Sequence, residues 1–349
     1  MASQPDLPES ILLSQFNGIR NTVSEERLQL GDLSAAVNVD IDDAGQLRRR
    51  RGYVPISAGH HHSLFEVGGR VVVVRDGTLG FLDAGLRFDP IVEVGTDPLA
   101  YTSVGTTIYY SSRSASGKIV NGQPQPWGDR DGAGQWISPV IRPTETLGAI
   151  AGRMLSAPPL ATEIELYKGR IYLASGPVVW ATELYLYDLV DKNRNYVLLE
   201  DDVTMLAAVG NGLYVGTTRQ LLFLGGVLSK GLQLQTVLDT PVLAGSMVQV
   251  PLSKVHPQAR QGPVPEGDAP VFMTGAGICL GLDGGEVFNL TQGRVVFPQA
   301  QRVAALYRED QGANSYLAVA DSAGGPGANA RIGDYVDAEI VRASQRGRA

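Results

Sequence analysis

Gly210-Asn211-Gly212-Leu213-Tyr214-Val215, followed beyond a short turn by Leu221–Leu224, holds the pattern that recurs along this chain: a glycine-marked turn, a short apolar strand, a second turn and a partner strand. Apolar runs of about four to eight residues bounded by turn residues read as buried strands rather than helices. Further copies are Gly68-Gly69-Arg70-Val71-Val72-Val73, Gly105-Thr106-Thr107-Ile108-Tyr109-Tyr110, Gly169-Arg170-Ile171-Tyr172-Leu173 and Gly275-Ala276-Gly277-Ile278-Cys279-Leu280. Leu79–Leu82, Val178–Ala181 and Val287–Leu290 are the partner strands of the first, third and last of these. Counted from the first apolar residue, the copies begin at 71, 108, 171, 213 and 278, with a poorer one at Tyr316-Leu317-Ala318-Val319. The short spacings, 37, 42 and 38, match the roughly 40 to 50 residues of a four-stranded propeller blade.

The expected fold is therefore all-β, a β-propeller, with six blades the preferred count and five or seven left open. The longer spacings, 63 and 65, require insertions, placed at Gly117–Pro159 and Leu252–Pro270 by their proline, glycine and polar content. Each insertion reads either as a partner-contacting loop or as irregular outer strands. Residues 1–34 form an N-terminal extension, in which Ser24–Leu28 suits a single helical turn. The propeller occupies 35–344 and a short tail 345–349, with Asp334–Ser344 as a last strand or short helix. Pairing of N- and C-terminal strands is expected to close the ring and remove two sheet edges.

Composition agrees with a turn-rich β protein: 349 residues include 42 glycines and 20 prolines, and only 19% are charged. The formal charge of −7 argues against a surface that binds nucleic acid throughout. No apolar run reaches the roughly 18 residues of a membrane helix, and MASQPDLPES lacks the basic and apolar regions of a secretory leader. The single cysteine, Cys279, lies in an apolar run and is read as a core residue of a protein made in a reducing cytoplasm.

Basic character is local. In Ala35–Tyr53, AAVNVDIDDAGQLRRRRGY, Val37, Val39 and Ile41 alternate with Asn38, Asp40 and Asp42, as a half-buried strand requires. Asp42-Asp43-Ala44-Gly45 makes a tight turn with Gly45 free to take positive φ, and Gln46–Tyr53 returns as the second strand. Arg48 and Arg50 then share one face, and Arg49 and Arg51 the other. Two readings stand: an edge guarded against aggregation, or a basic contact with an acidic partner or nucleic acid. Arg48, Arg49, Arg50 and Arg51 are the candidate interface residues.

Positive signs of catalysis are missing. His60-His61-His62 alternates across a strand and has no acidic or cysteine ligands at useful spacing. Asp40, Asp42, Asp43 and Asp129, Asp131 lack the downstream glutamate of a calcium loop and read as turn-formers. Neither a nucleophile elbow nor a phosphate-binding glycine loop is present. No catalytic residue, metal site or cofactor is expected, although a propeller enzyme would draw acidic residues from several blades toward its axis.

Phe16–Tyr53, about a tenth of the chain, resembles the opening of β-propeller tail proteins of short-tailed double-stranded DNA bacteriophages, known as tail nozzle, tail hub or stabilisation proteins. Asn38, Gly45, Leu47 and Arg50 to Gly52 occupy the places of that family's strand asparagine, turn glycine, apolar residue and arginine close to glycine. Arg51 departs from the proline often found before the final glycine, and many members are longer. The resemblance implies a structural virion protein forming a ring of six copies beneath the portal and its adaptor. Such a ring touches other tail proteins or fibres, extends the DNA channel, and retains the genome until ejection without sequence-specific DNA binding. An acidic lumen would let DNA slide, and the arginines would contact an acidic neighbouring subunit. The alternatives are a propeller enzyme acting on glycans or lactones and a monomeric interaction propeller.

Overall fold

The computed structural model describes residues 15–36, 39–41, 45–50, 57–128, 154–228, 231–254, 267–297, 300–310, 313–322 and 335–338. They form an all-β propeller with almost no helix. Antiparallel neighbours make the first blade from His61–Val67, Arg70–Arg75, Thr78–Leu82 and Phe88–Glu93. The second comprises Ala100–Val104, Thr107–Ser111, Ser116–Val120 and Gln123–Gln125, and the third Glu163–Tyr167, Arg170–Ser175, Val178–Ala181 and Tyr196–Leu198. Val203–Val209, Gly212–Thr217, Leu221–Val227 and Gly231–Leu238 build the fourth. The fifth holds Val248–Pro251, Asp268–Thr274, Gly277–Gly281 and Val287–Asn289. A final sheet has three strands, Ala300–Asp310, Ala313–Ser322 and Tyr335–Ala338.

Burial explains why these segments are strands that stack. The middle strands carry apolar residues on both faces, as in Val72, Val73 and Val74 or Leu213, Tyr214 and Val215, all almost fully buried. Buried clusters consequently lie between consecutive sheets: Val72, Leu79, Ile108 and Ile119 between the first and second blades, and Tyr172, Val179, Leu206 and Leu222 between the third and fourth. Val271, Leu280, Tyr316 and Ala318 join the fifth blade to the last sheet. At roughly 25 cal/mol per Å² of apolar surface, such clusters are the main source of stability. Gly212 marks the closest approach, because a Cβ there would collide with the ring of Phe223 on the neighbouring strand.

Three expectations need correction or refinement. Among the described residues five four-stranded blades are present, one of the counts left open, rather than the preferred six. The last sheet draws its third strand from Tyr335–Ala338, while Val39–Ile41 and Leu47–Arg49 pair only with each other among the described residues. The repeat at Ile278 is one strand out of phase: it lies on the fifth blade's third strand, whereas residues 71, 108, 171 and 213 lie on second strands. Both hairpin turns of a blade carry the same glycine-then-apolar signal, so sequence spacing alone cannot separate them. Within the first proposed insertion, Gly117–Gln125 contributes the outer strands of the second blade. Asp268–Pro270 of the second insertion opens a core strand. The centres of both insertions, 129–153 and 255–266, lie outside the described residues, as do 1–14 and 339–349.

Among the described residues the N-terminal segment meets the loop after the fifth blade through side chains and one backbone bond, from the Asn21 N–H to the Arg294 carbonyl at 3.0 Å, without a shared sheet. Gly18–Ile19 pairs in parallel with Asp32–Leu33, and the helical turn foreseen near Ser24 is the 3-10 turn Glu25–Arg27. Asp32, nearly buried, accepts from Arg20 at 3.3 Å and from Arg294 at 3.2 Å. Asn21 donates to the Val296 carbonyl at 2.9 Å and accepts from its N–H at 2.7 Å, and Thr22 donates to the Gly293 carbonyl. The N-terminal segment is thus a strap across the loop that leaves the fifth blade.

Candidate functional site

The arginine hairpin is positioned by its turn and by Asp40. Gly45 has φ of 75°, open to glycine, and its carbonyl accepts from the Phe16 N–H of the strap at 2.8 Å. Val39 faces Arg49 across the pair, Asp40 faces Arg48, and Ile41 faces Leu47. Arg50 Nε donates to Asp40 Oδ1 at 3.1 Å, while Arg308 from the last sheet brings Nη2 within 3.8 Å of Asp40 Oδ2. One carboxylate therefore ties the hairpin to itself and to the C-terminal sheet.

This arrangement divides the four candidate residues. Arg50 is half-buried and bonded to Asp40, Arg48 and Arg49 lie at the surface although Arg48 is not without a partner, and Arg51 lies outside the described residues. Arg48 shares the Asp40 side of the hairpin with Arg50, and Arg49 shares the opposite side with Val39. An exposed guanidinium offers planar, bidentate recognition of carboxylates or phosphates. The hairpin can thus serve as a basic contact on an acidic molecule.

A second group was not singled out by sequence. Glu163 and Glu165 alternate along the first strand of the third blade, which lies beside the first strands of the second and fourth blades. They share a face with Tyr167, which packs against the fourth blade. Both side chains are only partly covered, yet burial pushes each carboxyl up to about 8; the Glu165 charge adds to the effect at Glu163, and a backbone N–H at Leu166 opposes it at Glu165. The available signal was Glu163-Ile164-Glu165-Leu166, a strand whose second face is acidic where an inner blade strand is usually apolar. Both carboxyls come from one blade, whereas a propeller active site would gather them from several.

A buried ion pair lies between the second and third blades. Lys118 Nζ donates to Asp188 Oδ2 at 2.8 Å, with the side chains 3% and 1% exposed. Trp127 Nε1 donates to the Tyr187 carbonyl at 2.8 Å, and its ring packs on Tyr109. These contacts hold the end of the second blade against the third.

His61 and His62 begin the first blade, and His62 Nδ1 lies 2.8 Å from Ser63 Oγ. Burial, with a smaller contribution from His60, lowers the pKa of His62. Among the described residues no group of three or more histidine, cysteine or acidic side chains is arranged to hold a metal. Cys279 is fully buried, and burial pushes its thiol up to about 11. Asn289 and Thr291 hydrogen-bond to each other in a local turn.

No family model and no curated protein matches the sequence. Among solved structures, the extracellular domain of a hybrid two-component system protein from B. thetaiotaomicron has a TM-score of 0.45 at 11% identity, covering 81% of this chain and 32% of that one. This chain accordingly spans about a third of that protein's length. The N-terminal domain of Nup159 has a TM-score of 0.43 at 10% identity, covering 74% of this chain and 72% of that one. A gluconolactonase from Xanthomonas campestris has a TM-score of 0.41 at 12% identity, covering 76% and 84%. These are diverse propeller proteins, and likeness of this degree carries no functional argument.

Proposed function

We propose that this chain is a structural protein of a bacteriophage virion, a tail nozzle or hub that assembles as a ring of six copies below the portal and its adaptor. The observation that carries the reading is the hairpin that holds the family-like motif and places the exposed Arg49 beside Arg48 on a chain of formal charge −7. In this role the arginines contact an acidic surface of a neighbouring subunit, the adaptor or a tail fibre, and genomic DNA passes through the lumen without sequence-specific contacts. The protein needs no cofactor for this task and acts in the virion tail.

The test is to express the protein with its adaptor, with Arg48 and Arg49 both replaced by serine. Loss of the ring by light scattering and electron microscopy, with an unchanged unfolding midpoint, is the expected result. Rings that form normally would remove the interface role. A second reading, a propeller enzyme acting on glycans or lactones, draws on Glu163 and Glu165, whose raised pKa values suit proton donation. Turnover of a glycan or lactone panel that disappears in Glu163→Gln would favour it over the structural reading.

A further inference from the structure

The outer edges of the sheets differ in how they are protected against pairing with another strand. In the first blade the edge Phe88–Glu93 contains Pro90, carries Asp89 and Glu93, and is bulged against its neighbour. The second blade ends in the three-residue strand Gln123–Gln125 with Pro124 at its centre. Tyr196–Leu198 and Val287–Asn289 are also only three residues long, and Tyr335–Ala338 only four. Shortness, proline, charge and bulges are the usual means of blocking edge-to-edge association.

Gly231–Leu238, the edge of the fourth blade among the described residues, has almost none of them. It is eight residues long, Gly231-Leu232-Gln233-Leu234-Gln235-Thr236-Val237-Leu238, with neither charge nor proline. Its bulge falls at the far end, beside Leu238, so Gly231 to Thr236 pairs regularly with the strand before it. Leu232 packs against the cluster between the third and fourth blades, and Leu234, next on the same face, is 50% exposed. Gln233, Gln235 and Thr236 are exposed as well.

We infer that this edge pairs antiparallel with the same strand of a second copy of the chain, about a two-fold axis at Leu234. That register sets Leu234 beside Leu234, Gln233 beside Gln235, and Leu232 beside Thr236, so apolar meets apolar or threonine and amide meets amide. A two-fold axis brings each residue close to its own neighbours, which penalises any charge near the axis, and this strand has none. An edge without charges offers a foreign strand no charge pattern to select, while its own sequence is complementary to itself. The contact is isologous and closes at two copies; a ring requires two different patches, so this pairing goes beyond the ring and does not depend on it. One strand edge is a small interface, and the pair is therefore concentration-dependent.

Sedimentation equilibrium of the full chain over a wide concentration range, alongside Leu234→Lys and Gln233→Lys, tests the inference. In the absence of the adaptor, the expected result is a mass that doubles with concentration in the unaltered chain and does not double in either variant, with unchanged circular dichroism. Amide exchange within 231–238 should slow as the unaltered chain pairs. Both replaced side chains are solvent-exposed, and if one variant folds poorly the other decides. A single-chain mass at every concentration, or a doubling that neither lysine affects, would overturn the inference.

Discussion

Removing the ammonium of Lys118 while keeping a long side chain, as in Lys118→Met, leaves the Asp188 carboxylate buried opposite an apolar group. The pair is 2.8 Å apart with both side chains nearly inaccessible. Breaking a buried pair from one side typically costs about 3–5 kcal/mol, mostly because the surviving charge loses its compensation. Since domains are stable by only about 5–15 kcal/mol, the variant should lose a large part of its margin. Guanidinium unfolding should show the midpoint falling with the slope preserved, meaning that stability and not compactness has changed. Replacing both partners, Lys118→Met with Asp188→Leu, should recover part of the loss, because neither member of the pair is then left as a buried charge. A loss below about 1 kcal/mol in the single variant, the range of an exposed pair, would show that the pair is solvated and refute the reasoning.

Glu163→Gln and Glu165→Gln should stabilise the protein in a pH-dependent way. Each carboxyl is raised from 4.5 to about 8 in the folded chain, so the folded state binds more protons across that window and stability falls as pH rises through it. The slope is about 1.4 kcal/mol per pH unit for each group, and amides should remove it: no gain below pH 4.5 and the full gain above pH 8, read from unfolding midpoints. A pH-independent effect would argue against burial as the cause. Gly212→Ala should cost about 1–3 kcal/mol by forcing Phe223 from its place, and an unchanged melting temperature would contradict that packing. Cys279 should react with a thiol reagent only as fast as the protein unfolds, so prompt labelling of native protein would contradict its burial.

Much of the fold is legible in sequence because a blade is a local object. Val72, Ile108, Ile171 and Leu213 each follow a glycine-marked turn, and the turn and strand are specified within a dozen residues or so. The number of blades is not local. It depends on whether the last sheet recruits the N-terminal hairpin, a competition between distant segments that no periodicity records. The candidate site divides in the same way. Alternation places Arg48 and Arg50 on one side, but Arg50 is engaged by Asp40, whose other oxygen lies near Arg308 of a sheet far along the chain. Glu163 and Glu165 were not singled out by sequence, because only the neighbouring inner strands make them half-buried.

The strap at Asp32 has a consequence for how the protein is made. Its first residues leave the ribosome early, yet Arg294, which bonds both Asp32 and the Asn17 carbonyl, is 262 and 277 positions later in the chain. Blades of local hairpins can form as they emerge, while the strap waits through most of synthesis for its partner. Until then, Asp32 and the edges around it are available to other chains, and the interval before Arg294 arrives is the period of greatest exposure to misassembly.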